Sequence, residues 1–231
     1  MPRETGRSAF ERSDLLPTRL AAYLRGEIVA GRLKPGDRLI EQTIAASCGV
    51  SRVPLREAMR IIATEGLITI SPHRGASVNL LSNEELTELF GARAAIEGFA
   101  AMNAALQQPA FAIKTMRKTL ERMRAAVSRD DRTAYYSLAA DFHRELILAG
   151  GNKIIIRLYD QIRYQLRRYQ AAMSRLPELP SRSNLEHARI LRAIERGDAH
   201  AAREAAEGHI TGLVKQFQQA GGLEQPRRKN A

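Results

Sequence analysis

No stretch of the chain approaches the ~18 consecutive apolar residues that a membrane-spanning helix needs. The opening "MPRETGRSAFERSDLL" is charged and lacks the apolar core of a secretory leader. A single cysteine, Cys48, excludes an intrachain disulfide and fits a reducing compartment. Side-chain sets of the Ser-His-Asp or Cys-His kind are also missing, which argues against covalent hydrolysis. These absences lead to the expectation of a cytoplasmic protein with no membrane partner.

Positive charge is what the chain has in excess. Its 231 residues hold 36 Lys and Arg against 25 Asp and Glu, a formal net charge of +11, and 44% of them are apolar, enough for a folded core. A polyanionic partner matches that balance; nucleic acid is the first candidate and an anionic membrane surface another. The excess is spread along the chain and does not locate the anion.

Hydrophobic periodicity divides the chain. Residues 15–30, "LLPTRLAAYLRGEIVA", place Leu20, Leu24 and Ile28 at fourfold spacing, which predicts a helix ended by Gly31 and a tight turn around Pro35. A short helix from Glu41 to Ser47, a break at Gly49 and a second helix from Val53 to Glu65 form a helix-turn-helix pattern. "LITI" (67–70) and "ASVNL" (76–80) flank the turn "SPHRG" and predict a hairpin, so this region reads as a winged helix. Beyond Leu81 the period is helical. A capping box at "SNEE" (82–85) opens that region, and breaks are expected near Gln108 and Pro109, Gly150 and Gly151, residues 176–183, and Gly197. A second capping box, Ser183 with Glu186, is expected to open the helix that carries His187. The expected class is mainly α. It comprises a flexible arm (1–12), a winged helix-turn-helix DNA-binding domain with a small β-hairpin wing (13–80), an all-helical effector-binding and dimerisation bundle (81–221) and a disordered basic tail (222–231).

Arg52, Arg56 and Arg60 recur every fourth residue and share one face of the second helix of the pair. Three arginines on an isolated helix read as a solvated face. Here they fall on the element that a helix-turn-helix presents to the major groove, and arginine matches the two acceptors of guanine. Ser51, Arg52 and Arg56 are therefore assigned to DNA, with Arg60, one turn deeper, on phosphate or solvent. At the hairpin tip His73 and Arg74 precede Gly75, which lets the backbone approach a phosphate or the minor groove. The run "IAASCGVSRVPLREAMRIIATEGLITISPHRGASV" (44–78) resembles the winged-helix signature of GntR-type bacterial transcription regulators, with its Ser-Arg-x-Pro-x-Arg-Glu-Ala core and Gly-tipped wing. The resemblance implies that Arg52, Arg56 and the wing around Gly75 touch operator DNA, and that a homodimer binds a palindrome. One departure is "IEQTIA", where some branches carry a DNA-contacting arginine and this chain has Gln42 and no basic residue.

Two features of the helical half need a reason. Arg93 falls inside the apolar stripe of Leu86, Leu89, Phe90 and Ile96, and a buried guanidinium requires an anion. Glu97, one turn on, supplies one as a structural pair; a bound carboxylate supplies one equally well. His143, His187 and His209 lie on three helices, each on an apolar face, whereas His200 shares its face with Arg203, Glu204 and Glu207. A single inward histidine is ordinarily core; three in one bundle suit a divalent metal. Arg163 and Arg167, one turn apart after "GGN", are further pocket candidates with a surface alternative.

Residues 84–220 resemble the all-helical FCD effector domain of the FadR-type GntR regulators: R-x-x-x-E on a first helix, "FH" before "GGN", "EHARILRAIERGD", and a histidine on the last helix. The resemblance implies a divalent metal, zinc first and nickel or manganese next, on His143, His187 and His209, with a small organic acid at the metal and at Arg93. Metal-binding relatives place an Asp four residues before the first histidine. Here that position is Ala139, and Asp141, about 200° around the helix from His143, points away. The site is thus either three histidines completed by water or effector, or a pocket without metal. The expected function is a ligand-responsive, sequence-specific transcription repressor. The competing reading is a metal-dependent hydrolase or hydratase using the three histidines.

Overall fold

Leu20, Leu24 and Ile28 do form one stripe, and all three are buried on helix α1 (Arg7–Val29). The computed structural model describes residues 7–80, 82–173 and 179–222, and divides the chain into two units, Met1–Leu81 and Ser82–Ala231. Helix α1 begins within the stretch expected to be a loose arm and runs through Pro17. The sequence pattern begins at residue 15; the helix extends further toward the N-terminus, with Pro17 forfeiting one helical hydrogen bond. The rest of the expected arm, residues 1–6, and the expected tail from residue 223 onward lie outside the described residues.

In the first unit α1 is followed by β1 (Arg38–Leu39), α2 (Glu41–Cys48), α3 (Arg52–Thr64), β2 (Ile68–Ser71) and β3 (Gly75–Val78). The α2–α3 turn depends on Gly49, which caps α2 at φ 65° in the left-handed region that a Cβ disfavours. The sheet has the order β1-β3-β2, antiparallel throughout, with Ile70 opposite Ala76 and Arg38 opposite Ser77. The two-residue strand β1 was not expected; it is too short to carry a period. Leu55, Ala58, Met59 and Ile62 of α3 pack inward, and Arg25 of α1 makes a two-pronged bond to Glu65 at 2.7 and 2.8 Å.

The second unit contains α4 (Asn83–Gln107), α5 (Ala110–Ser128), α6 (Arg132–Ala149), α7 (Lys153–Met173), α8 (Leu179–Glu195) and α9 (Ala199–Gln219). The expected capping box forms: Ser82 accepts from the Glu85 amide while the Glu85 carboxylate accepts from the Ser82 amide. Helix α4 is central and packs on α6, α7, α8 and α9. Its buried face of Ala94, Gly98, Ala100, Ala101, Ala104 and Ala105 lets those helices approach closely. Gly150 sits so near α4 that a Cβ there would lie 2.8 Å from the Ala100 backbone. The second expected capping box does not form. Helix α8 already begins at Leu179, so Ser183 is inside it and buried. Pro180, whose fixed φ suits a helix, stands within α8 ahead of Ser183, so the helical run already includes the position that the capping box would have marked as its start.

Candidate functional site

Helix α3 has two faces. While its apolar residues fill the core of the first unit, Arg52, Arg56 and Arg60 are exposed. Ser51 is the N-cap residue of α3, with extended backbone, and its hydroxyl makes no capping bond. Arg52 has no salt bridge among the described residues, whereas Arg56 Nε donates to Glu41 Oε2 of α2 at 2.8 Å. At the wing tip His73, Arg74 and Gly75 are all exposed, and His73 and Gly75 adopt φ 61° and 79°. A non-glycine residue in the left-handed region is uncommon, and here it turns an imidazole and a guanidinium outward together. The residues picked from sequence thus occupy the start of one exposed helix and the tip of one hairpin.

In the second unit His143 on α6, His187 on α8 and His209 on α9 come together, all buried. One ring nitrogen of each lies within 4.8 Å of the others. Nε2 of His143 and Nε2 of His187 are 3.1 Å apart, and the rings of His143 and His209 stack at 5.3 Å between centroids. The outer nitrogens are held from behind. His143 Nδ1 lies 2.7 Å from Glu97 Oε2, and His209 Nδ1 lies 2.8 Å from Glu186 Oε2. An ionised carboxylate only accepts, so these two Nδ1 atoms carry a proton and the Nε2 atoms are the ones left to ligate. The other Glu97 oxygen accepts from Arg93 Nε at 2.6 Å, which completes a buried chain from Arg93 through Glu97 to His143.

Electrostatics keep this chain in one protonation state. Burial pushes the Glu97 carboxyl up, but Arg93 and His143 outweigh it and hold Glu97 down at about 2. Burial brings His143 down to about 4, with Glu97 opposing and Arg93 and His209 reinforcing. Burial also drives His187 well below its ordinary value. Both rings are therefore neutral near pH 7, the form that ligates a metal. Three imidazoles converging on one point, two of them oriented by carboxylates, fit a divalent ion with a fourth position left open. Ala139 lines the same cleft and offers only a methyl group, while Asp141 is exposed and faces a different cleft.

The histidine cleft opens to solvent, spans about 390 Å³ with that open space included, and is also lined by Phe90, Arg93, Tyr135, Tyr136, Ser183 and Leu213. Its lining thus combines three imidazoles and a guanidinium with two tyrosines and a serine. Arg93 both pairs with Glu97 and lines the cleft, so the two partners considered for it from sequence are not exclusive. Sequence reasoning missed Glu186 and the tyrosines as parts of this site. Glu186 was read as a helix cap, but it binds a ring on another helix, a pairing that no single-segment pattern reveals.

A family model described as "FCD domain" matches residues 88–212, and one described as "Bacterial regulatory proteins, gntR family" matches residues 16–78. The chain is 31% identical over 189 residues to the "Probable D-xylose utilization operon transcriptional repressor" of Paenarthrobacter nicotinovorans, covering 81% of this chain and 82% of that one. It is 30% identical over 145 residues to the "Gluconate operon transcriptional repressor" of Bacillus subtilis, covering 63% of this chain and 59% of that one. Among solved structures, a transcriptional regulator assigned to the GntR type from Rhodococcus sp. RHA1 superposes with a TM-score of 0.71 at 25% identity, over 88% of this chain and 98% of that one. McbR/YncC of E. coli shares the fold, with a TM-score of 0.75 at 18% identity over 90% of this chain and 99% of that one.

Proposed function

Because the chain belongs to the GntR family of bacterial regulatory proteins, with an FCD domain behind its winged helix, we propose that it is a homodimeric repressor whose helical unit senses a small organic acid. The family consists of DNA-binding transcription regulators that respond to ligands, and the hydrolase or hydratase reading of the three histidines is set aside with that assignment. The observation that carries the sensing role is the meeting of His143, His187 and His209 in one cleft, with Nδ1 of His143 and of His209 pinned by Glu97 and Glu186.

Those three residues would hold a divalent metal, zinc best by donor type, with nickel or manganese next. When bound, the ion supplies a Lewis-acidic anchor for a carboxylate. The protein's own residues do the rest: Arg93 faces the anion with a guanidinium, and the tyrosine and serine hydroxyls suit a hydroxylated chain. Two relatives are named for operons of D-xylose and gluconate use, which supports a sugar-derived acid for this chain. The acid acts by binding two states of the helical unit unequally, and linkage carries that difference into DNA affinity. No helix among the described residues is long and apolar enough to cross a membrane, in keeping with a cytoplasmic regulator.

Each copy presents one recognition helix, so a dimer reads a palindromic double-stranded operator through Ser51, Arg52 and Arg56, with His73, Arg74 and Gly75 at the flank. Selection of binding sites from random duplex DNA tests this. Arg52→Ala should weaken the selected site by roughly 10- to 100-fold and relax preference at one base pair per half-site. If the full preference survives, Arg52 does not read a base. For the cleft, Ala139→Asp adds the missing carboxylate and should tighten zinc binding by roughly tenfold or more in competition with a chelating dye. Unchanged affinity would mean that position 139 does not face a bound ion.

A further inference from the structure

We infer that a second cleft, between α4, α6 and α7, is a binding site for a phosphate group, separate from the histidine cleft. It opens to solvent and spans about 400 Å³ with that open space included, and its wall carries Arg93, Arg144, Arg163 and Arg167 together with Asp141 and Tyr159. Four guanidinium groups face one cavity, against the three carboxylates of Glu97, Asp141 and Asp160 that pair with them or share the wall. The excess charge is positive, as a bound anion requires.

The arginines are not equally occupied. Arg93 is bonded to Glu97, and Arg144 is paired with Asp160. Arg163 forms only a long ion pair, Nε 3.4 Å from Asp160, and this Nε, the buried atom of a side chain 31% exposed, makes no hydrogen bond among the described residues. Its guanidinium is nonetheless held in place, because Nη2 donates to Tyr164 Oη at 2.7 Å and the group sits 4.5 Å from that ring's centroid. A fixed, buried donor without an acceptor is a cost that a ligand oxygen removes. Arg167, one turn on, has no salt bridge among the described residues. Burial pushes the Tyr159 phenol up, with Glu97 adding to the shift, so it stays a neutral hydroxyl able to donate.

Geometry favours phosphate over carboxylate. One arginine fork saturates a planar carboxylate. Here the charged groups come from three helices and approach from several sides, which suits a tetrahedral oxyanion with oxygens to spare. The source is either free inorganic phosphate or a phosphate monoester. Arg93 lines both clefts, so the two ligands would share one side chain in the wall between them.

The test is calorimetric titration of the full chain in chelator-containing buffer at fixed ionic strength, using inorganic phosphate, a hexose monophosphate and succinate in turn. Wild type should bind one or both phosphates saturably and succinate at least about tenfold more weakly. Tighter binding of the ester than of inorganic phosphate would identify a phosphorylated metabolite as the occupant; the reverse would identify free phosphate. Arg163→Gln with Arg167→Gln should cost about tenfold or more in phosphate affinity, and Ala140→Glu, which puts a carboxylate into the wall, should do the same. His187→Ala should leave phosphate binding intact, which separates this site from the proposed metal cleft. Absence of phosphate heats, equal affinity for succinate, unchanged binding in both cleft variants, or loss of binding in His187→Ala would each overturn the proposal.

Discussion

Arg93→Ala should destabilise the helical unit by about 3–5 kcal/mol, because it leaves the carboxylate of Glu97 charged, fully buried and held by His143 alone. At 2–4 °C per kcal/mol for a chain of this size, the melting temperature should fall by roughly 6–20 °C. The loss would come from the charge left behind more than from any favourable net energy of the pair, since burying both groups is itself costly. A second substitution separates these. Adding Glu97→Gln to Arg93→Ala removes the stranded charge and should restore part of the loss, whereas an ordinary packing defect would not respond. A single variant melting within about 1 °C of wild type would show that water reaches Glu97 and that the buried chain is not closed.

His187→Ala should abolish stabilisation by zinc. Wild type held at zinc a hundredfold above Kd should gain about 2.7 kcal/mol, and the variant should gain nothing measurable in the same thermal-shift series. Two imidazoles remain in the variant, but neither closed zinc sites nor open ones are ordinarily built on so few protein ligands. Glu97→Gln offers the graded comparison. It keeps all three rings and removes the charge that His143 and Arg93 share, so zinc should still bind, about 10- to 100-fold more weakly than to wild type, each measured against its own metal-free form. If zinc stabilises His187→Ala as strongly as wild type, the ion sits elsewhere and the three histidines are pocket walls. Elemental analysis of the protein as purified would identify the metal.

The parts that the sequence made legible are those in which one segment carries its own pattern. Leu20, Leu24 and Ile28 announce α1, Ser82 and Glu85 announce the start of α4, and Arg52 and Arg56 stand on the face of α3 that does not pack. His143, His187 and His209 could be grouped because each occupies an apolar stripe, and three stripes of one bundle meet in one core. Other features depend on partners far away in the chain. Strand β1 exists only because β3 offers Ala76 and Ser77 to pair with, and two residues show no period of their own. Ser183 and Glu186 have capping-box spacing, but α8 is already helical at Leu179, and Glu186 is engaged by His209. Glu97 was visible as a partner for Arg93; its bond to His143 comes from a helix 46 positions further on.

The bond between Arg56 and Glu41 has a consequence for how the protein searches DNA. An arginine already engaged by a carboxylate gains little from a stray phosphate, since one ionic partner is only exchanged for another. Only a contact that satisfies both prongs of the fork offsets the loss of the carboxylate, and a guanine edge offers two acceptors in that arrangement. If Arg56 contacts DNA as proposed, Glu41 sets a small threshold that its DNA partner must exceed. Such a device favours rapid release and renewed sampling over tight adhesion to the polymer, a useful property in a chain whose net charge of +11 would otherwise hold it on any DNA it meets.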